Sequence, residues 1–159
     1  MSVAPNGQIY YAVSNDKAVY VAKSSDHGST WTCSGAVSTV SHAIFPWIVA
    51  TSSGEDLVYY GAVGTGASQT WYVYFAQNPA QTVSGWRTRQ LMPVHKGQVC
   101  EGGVSCTGGR QLLDDFAVDT DRSGWAHIAY SHDAPNLGGS GSYTGYAVQQ
   151  SGTRVGSPN

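Results

Sequence analysis

The feature that most limits what this chain can fold into is a pair of strands that recurs along it. "YYAVS" from Tyr10, "LVYYG" from Leu57 and "HIAYS" from His127 each follow a Gly-bearing turn and align as one kind of strand. "YVAKS" from Tyr20, "YFAQN" from Tyr74 and "YAVQQ" from Tyr146 align as the strand that comes next. Leu57 follows Tyr10 by 47 residues and Tyr74 follows Tyr20 by 54, whereas His127 follows Leu57 by 70 and Tyr146 follows Tyr74 by 72. Helical periodicity is nearly absent, and alternating β-branched and aromatic runs are bounded by Gly, Pro, Asn, Asp and Ser. Strands are expected over 8–14, 18–24, 31–38, 47–52, 56–63, 71–77, 86–92, 115–119, 125–131 and 144–150. Turns are signalled by "PNG" at Pro5, "SND" at Ser14, "SSGE" at Ser52 and "DTDRSG" at Asp119.

A period near 50 is that of a four-stranded propeller blade, stretched in the last interval by an insertion at 100–109. The expected fold class is therefore all-β: a single partial β-propeller of about 2.5 to 3 antiparallel blades, over 1–41, 42–94 and 95–159. The first unit begins close to its second strand, and the third stops near Arg154, where an outer strand should start. Closed propellers usually take four to eight blades, and an open arc leaves bare sheet faces that pair or aggregate. The chain is expected to be a piece of a longer propeller or a protomer that closes a ring, such as a homodimer of six blades.

Charge and length exclude some partners. Eight Lys and Arg against ten Asp and Glu give a net charge of -2, which supplies no basic footprint for nucleic acid. The longest apolar runs, such as 43–50, are far short of the ~20 residues that span a bilayer. The first seven residues, "MSVAPNG", lack the basic and apolar regions of a signal peptide. The chain reads as either cytoplasmic or cut from a longer exported parent. Cys100 and Cys106 bracket "CEGGVSC" and can reach disulfide geometry, with a reduced pair or a zinc half-site as the alternatives; Cys33 has no local partner. No motif calls for a cofactor or a resident metal.

The run "SSDHGSTW" has the residue types of a tight hairpin. Asp26 can accept hydrogen bonds from the turn's backbone, Gly28 supplies a positive φ, Thr30 adds a hydroxyl and Trp31 wedges the hairpin against the sheet. A Ser/His/Asp catalytic group is the poorer reading, because adjacent strand and turn residues point apart. The run matches S-x-D-x-G-x-T-W through Ser24, Asp26, Gly28, Thr30 and Trp31, and so resembles the Asp-box, or bacterial neuraminidase repeat, of sialidase-like β-propellers. In that family the box lies between the third and fourth strands of a blade. "NPAQTVSGWRT" looks like a degraded copy in which Trp86 stands for Trp31. "IFPWIVATSSGEDLVYYG" and "GQVCEGGVSCTGGRQLLDDFAVDTDRSGWAHIAYSHD" are similar to segments of secreted bacterial sialidase-like proteins, so the likeness covers most of the chain. It implies a glycan ligand, a secreted parent and, for an enzyme, glycoside hydrolysis.

Such a sialidase has three arginines that grip a carboxylate, a Tyr nucleophile paired with a Glu, and an Asp acid/base. The family's Arg-Ile-Pro arginine has no counterpart in "IFPWIV", which favours the competing reading of a non-catalytic scaffold or binding module. The stretch richest in chemistry is "HKGQVCEGGVSCTGGRQLLDDF", a loop leading into an inner strand. Its candidates are Asp114, Arg110 and His95 for catalysis, with Glu101, Asp115 and the Trp47 ring for ligand binding. The structural alternative is an Arg110–Asp115 ion pair that anchors the loop. "DTDRSG" resembles the opening of a calcium loop, but Tyr130 stands where a bidentate Glu is needed, so a hairpin turn is expected. His42, His127 and His132 have no metal-ligand spacing and read as surface or turn residues.

Overall fold

A computed structural model describes residues 1–101, 103–107, 112, 115–133, 137 and 141–156. Among the described residues eleven strands follow in order: β1 (Ser2–Val3), β2 (Ile9–Ser14), β3 (Val19–Ser24), β4 (Thr32–Cys33), β5 (Ala43–Ala50), β6 (Glu55–Val63), β7 (Thr70–Asn78), β8 (Arg87–Lys96), β9 (Ala117–Thr120), β10 (Ala126–His132) and β11 (Tyr143–Val148). They form three antiparallel meanders, β1-β2-β3-β4, β5-β6-β7-β8 and β9-β10-β11. The recurring strands take the second and third places in all three sheets. The chain is all-β, and its blade-like sheets do not close into a ring.

The second sheet is sandwiched between the other two, which explains its sequence. Successive side chains of a strand point to opposite faces. Leu57 and Tyr59 of β6, with Tyr74 and Ala76 of β7, join Tyr10, Val19 and Val21 of the first sheet in one core. Val58, Tyr60 and Ala62, with Trp71 and Val73, join Phe116, Val118, Ala126 and Ile128 in the other. A strand covered on both sides reads as a nearly unbroken apolar run, and β6 is buried at every position except Val63. Tyr59 stacks on Tyr74 with centroids 5.1 Å apart. Tyr60 stacks on Phe116 at 4.1 Å, and its hydroxyl accepts the Ser131 N–H at 2.8 Å, which pins the third sheet to the second. Gly61 permits this packing, because a Cβ there would lie 2.7 Å from the Tyr74 ring and 2.8 Å from Val40.

Three boundaries depart from expectation, each for a physical reason. Only Thr32–Cys33 of the expected 31–38 strand forms a ladder. Beyond it the Ser34 and Ser38 hydroxyls take the Val21 and Val19 N–H groups at 2.9 and 3.1 Å, in place of backbone carbonyls. The expected 47–52 strand starts at Ala43, because Pro46 sits in a bulge between Ile44 and Trp47 on an edge strand, where no ladder donor is needed. Pro93 is likewise tolerated on edge strand β8, which runs to Lys96 instead of stopping at Met92.

Candidate functional site

One end of the three sheets carries the turns β2–β3 and β6–β7, the loop from β4 into β5 and the loop from β8 into β9. Ser14 ends β2; its hydroxyl donates to the Ala43 carbonyl and accepts the Asp16 N–H at 2.9 Å. The Ala43 N–H returns to the Asp16 carbonyl at 3.2 Å. The β2–β3 turn is thereby fastened to the start of β5, with the Asp16 carboxylate in solvent. A cleft of about 290 Å³ opens beside it, lined by Tyr11 to Ser14, Asp16, Ile44 to Pro46 and Glu101. Two non-glycine residues lining this cleft have left-handed backbone, Asp16 at φ 66° and Phe45 at φ 52°. A bulky residue such as phenylalanine adopts that conformation only where its surroundings impose it, and such strain concentrates at functional positions.

Glu101 reaches the cleft from the loop that follows β8. Its carboxylate pairs with His42 Nε2, while His42 Nδ1 meets the Gln69 amide at 2.8 Å and the imidazole lies against Trp71, centroids 4.8 Å apart. Burial pushes the Glu101 carboxyl above the usual range, His42 pulls it back, and the nearby Asp16 charge pushes it up further. The resulting set is a carboxyl raised by burial, an exposed Asp16 side chain and an imidazole that pairs with Glu101. The Cys100–Cys106 disulfide, with Cα atoms 5.9 Å apart, closes the loop that begins at Glu101.

A second histidine–carboxylate pair lies behind the first. His95 of β8 is 5% exposed, and its Nδ1 pairs with Asp133, whose own N–H donates to the Val94 carbonyl at 3.0 Å. Trp71 stands opposite His95 across β7 and β8 and donates its indole N–H to Gly97 at 3.1 Å. His95 thus ties β8 to the end of β10, and its Nε2 is buried without a hydrogen-bond partner among the described residues.

Of the other candidate residues, Asp114 and Arg110 lie outside the described residues, and with Arg110 the Arg110–Asp115 ion pair. Asp115 is exposed, and its carbonyl accepts the Ser131 hydroxyl at 3.4 Å. Trp47 follows the β5 bulge and is 51% exposed. Asp16, His42, Gln69 and Asp133 were not singled out from the sequence for a site. Asp16 carried only its turn signal, and His42 and Asp133 have no neighbouring chemistry in sequence. Among the described residues no three His, Cys, Asp or Glu side chains gather as a metal site, and no helix is long and apolar enough to cross a membrane.

At the opposite end, the Ser24 to Thr32 hairpin joins β3 and β4 and is clasped by its own side chains. Asp26 accepts the Thr30 N–H and the Ser24 hydroxyl at 2.8 Å each and the Thr30 hydroxyl at 2.6 Å. Ser24 accepts the Gly28 N–H at 2.9 Å, and Trp31 donates its indole N–H to the Gly28 carbonyl at 3.0 Å. The bonds from Thr30, then from Ser24, hold the Asp26 carboxyl down to about 2. His27 and Gly28 take positive φ, 59° and 89°. The corresponding hairpin of the second sheet uses Asn78, which accepts the Ala80 N–H at 3.1 Å, with Gly85 at φ 88°. After β11, Gln149 donates to the Ser151 and Thr153 carbonyls at 3.1 and 2.8 Å, with Gly152 at φ 93°.

Compared with known families, curated proteins and solved structures, the chain matches none.

Proposed function

We propose that this chain is part of a sialidase-like Asp-box β-propeller and that the cleft between Asp16 and Glu101 recognises and processes a glycan. The observation that carries the reading is two carboxyls in unlike settings at one strained cleft, Glu101 half-buried and held protonated more readily, Asp16 in water. Glycoside hydrolysis needs such a pair, one carboxylic acid to protonate the leaving oxygen and one carboxylate to act from the other side of the sugar. Glu101 takes the first role, Asp16 the second, and His42 positions Glu101. Tyr11 and Phe45 supply aromatic surface for the C–H face of a pyranose. Where the family resemblance puts a carboxylate-gripping arginine stands Ile44, so a neutral sugar suits this cleft better than a sialoside.

The test is turnover of a panel of 4-nitrophenyl glycosides, with sialosides included, beside glycan-array binding. The wild-type chain turns over at least one substrate, Glu101→Gln loses about 10²-fold or more, and Asp26→Asn, in the remote hairpin, leaves the rate unchanged below its melting temperature. No turnover together with no retained glycan sinks the reading.

A scaffold or binding module is the second reading, favoured by a specific observation. The outer face of the first sheet leaves Tyr11, Val13 and Cys33 exposed, and the outer face of the third leaves Tyr146 and Val148 exposed. These are the faces that neighbouring blades cover, so we place a second copy against them, closing a six-bladed ring. Light scattering then gives twice 16.8 kDa. A well-folded 16.8 kDa monomer argues against closure.

A further inference from the structure

We infer that β11 is a docking edge for an extended acidic peptide, which adds to the third sheet as its fourth strand. The first two sheets each have four strands and the third has three, so among the described residues β11 is an edge. An edge strand offers alternate backbone N–H and C=O groups to any chain that lies alongside. The six residues of β11, "YTGYAV", contain none of the lysines or prolines that usually blunt such an edge. Tyr143 and Tyr146 on it are 52% and 64% exposed.

The space beside this edge is shaped and charged. A cleft of about 450 Å³ separates β11 and the residues after it from β7 and β8 of the second sheet. Its floor is apolar, with Phe75, Met92 and Ile128, and Arg87 and Arg89 line it from β8. Residues two apart on a strand share a face, about 7 Å apart, the spacing of same-face side chains in an added strand. Neither arginine has a carboxylate partner among the described residues, so alternate Asp or Glu residues of the incoming peptide meet two waiting guanidinium groups. A strand is favoured over an acidic sugar chain because only a strand also satisfies the β11 backbone.

The experiment is fluorescence anisotropy of the full chain with a labelled, end-capped octapeptide of alternating glutamate and threonine. Three companion probes are the same peptide N-methylated at alternate residues, in each of the two registers, and a labelled oligogalacturonate. The expected result is saturable binding of the parent peptide, weakened at least tenfold by Arg87→Glu or Arg89→Glu, with folding checked by circular dichroism. Lys17→Glu, in the exposed β2–β3 turn of the first sheet, leaves binding unchanged, which separates this site from general charge attraction. At least one N-methylated register loses binding. Equal binding of both methylated peptides overturns strand addition, binding of the oligogalacturonate alone reassigns the cleft to acidic glycans, and no binding of any probe at millimolar concentration overturns the proposal outright.

Discussion

Glu55→Gln should make this protein more stable at alkaline pH and leave it unchanged at acid pH. Glu55 opens β6 and is fully buried. Burial pushes its pKa from 4.5 to about 7; the Tyr10 hydroxyl and the Lys23 ammonium offset part of the rise, and the adjacent Asp56 adds to it. In the unfolded chain Glu55 releases its proton near its ordinary value. Between pH 4.5 and 7 the folded state therefore holds more protons than the unfolded one, and stability falls as pH rises through that window. Each pH unit by which a pKa moves is worth 1.36 kcal/mol, so the buried charge costs about 3 kcal/mol once it is ionised. Glutamine keeps the shape of the neutral acid and never ionises. At pH 8.5 the variant should gain about 3 kcal/mol, or roughly 6–12 °C in melting temperature for a chain of this length. At pH 4.5 the two proteins should melt within about 2 °C of each other. Differential scanning calorimetry from pH 4.5 to 8.5 reads this directly. Parallel curves, with the same offset at every pH, would refute the reasoning, because they would show that Glu55 is not a buried acid that titrates on folding.

Asp56→Asn should behave in the same way, since burial raises Asp56 to about 7 with only the Gln77 amide, 2.9 Å away, in opposition; urea unfolding at pH 5 and 8.5 separates the two limbs. Asp26→Asn weakens the hairpin clasp, so limited proteolysis should cut between Ser24 and Thr32 sooner than in the wild type while the rest of the chain stays protected. Asp133→Ala leaves His95 buried without its partner and should cost about 1–3 kcal/mol in urea unfolding, with no change in the exposed hairpin. Replacing Cys100 and Cys106 by serine removes a short closed loop worth about 2 kcal/mol on chain-entropy grounds. It should weaken any glycan binding that depends on Glu101 more than it lowers the melting temperature.

The strand pattern was legible because burial writes itself into alternation. "LVYYGAV" is apolar at both odd and even positions, and β6 packs Leu57 and Tyr59 one way and Val58 and Tyr60 the other. The clasp of the Ser24 to Thr32 hairpin was legible because every bond in it is local, spanning two to four residues. What hid strand ends was proline, which stops a strand in general but costs nothing on an edge, as Pro46 and Pro93 show. The serines after β4 hid in the opposite sense, since Ser34 and Ser38 look like strand residues and replace the ladder with their hydroxyls.

The candidate site was less legible for a different reason: its residues come from turns that only the tertiary fold brings together. Asp16, His42, Gln69 and Glu101 lie on four separate connections, and no spacing rule links residues at those separations. Glu101 could be picked out because a disulfide loop marks its neighbourhood, and His95 because the same chemistry-rich stretch opens with it, although it lies on β8 and not in the loop. Their partners could not. A histidine declares its role only through the carboxylate it meets, and Asp133 reaches His95 from 38 residues away. The same fold that assembles this end also leaves one side of β11 without a neighbouring strand among the described residues. A chain that covers its second sheet on both faces and leaves the third sheet one strand short has more surface to satisfy than its own described residues cover. The cleft at Arg87 and Arg89 is the part of that surface on which the proposed acidic strand would lie.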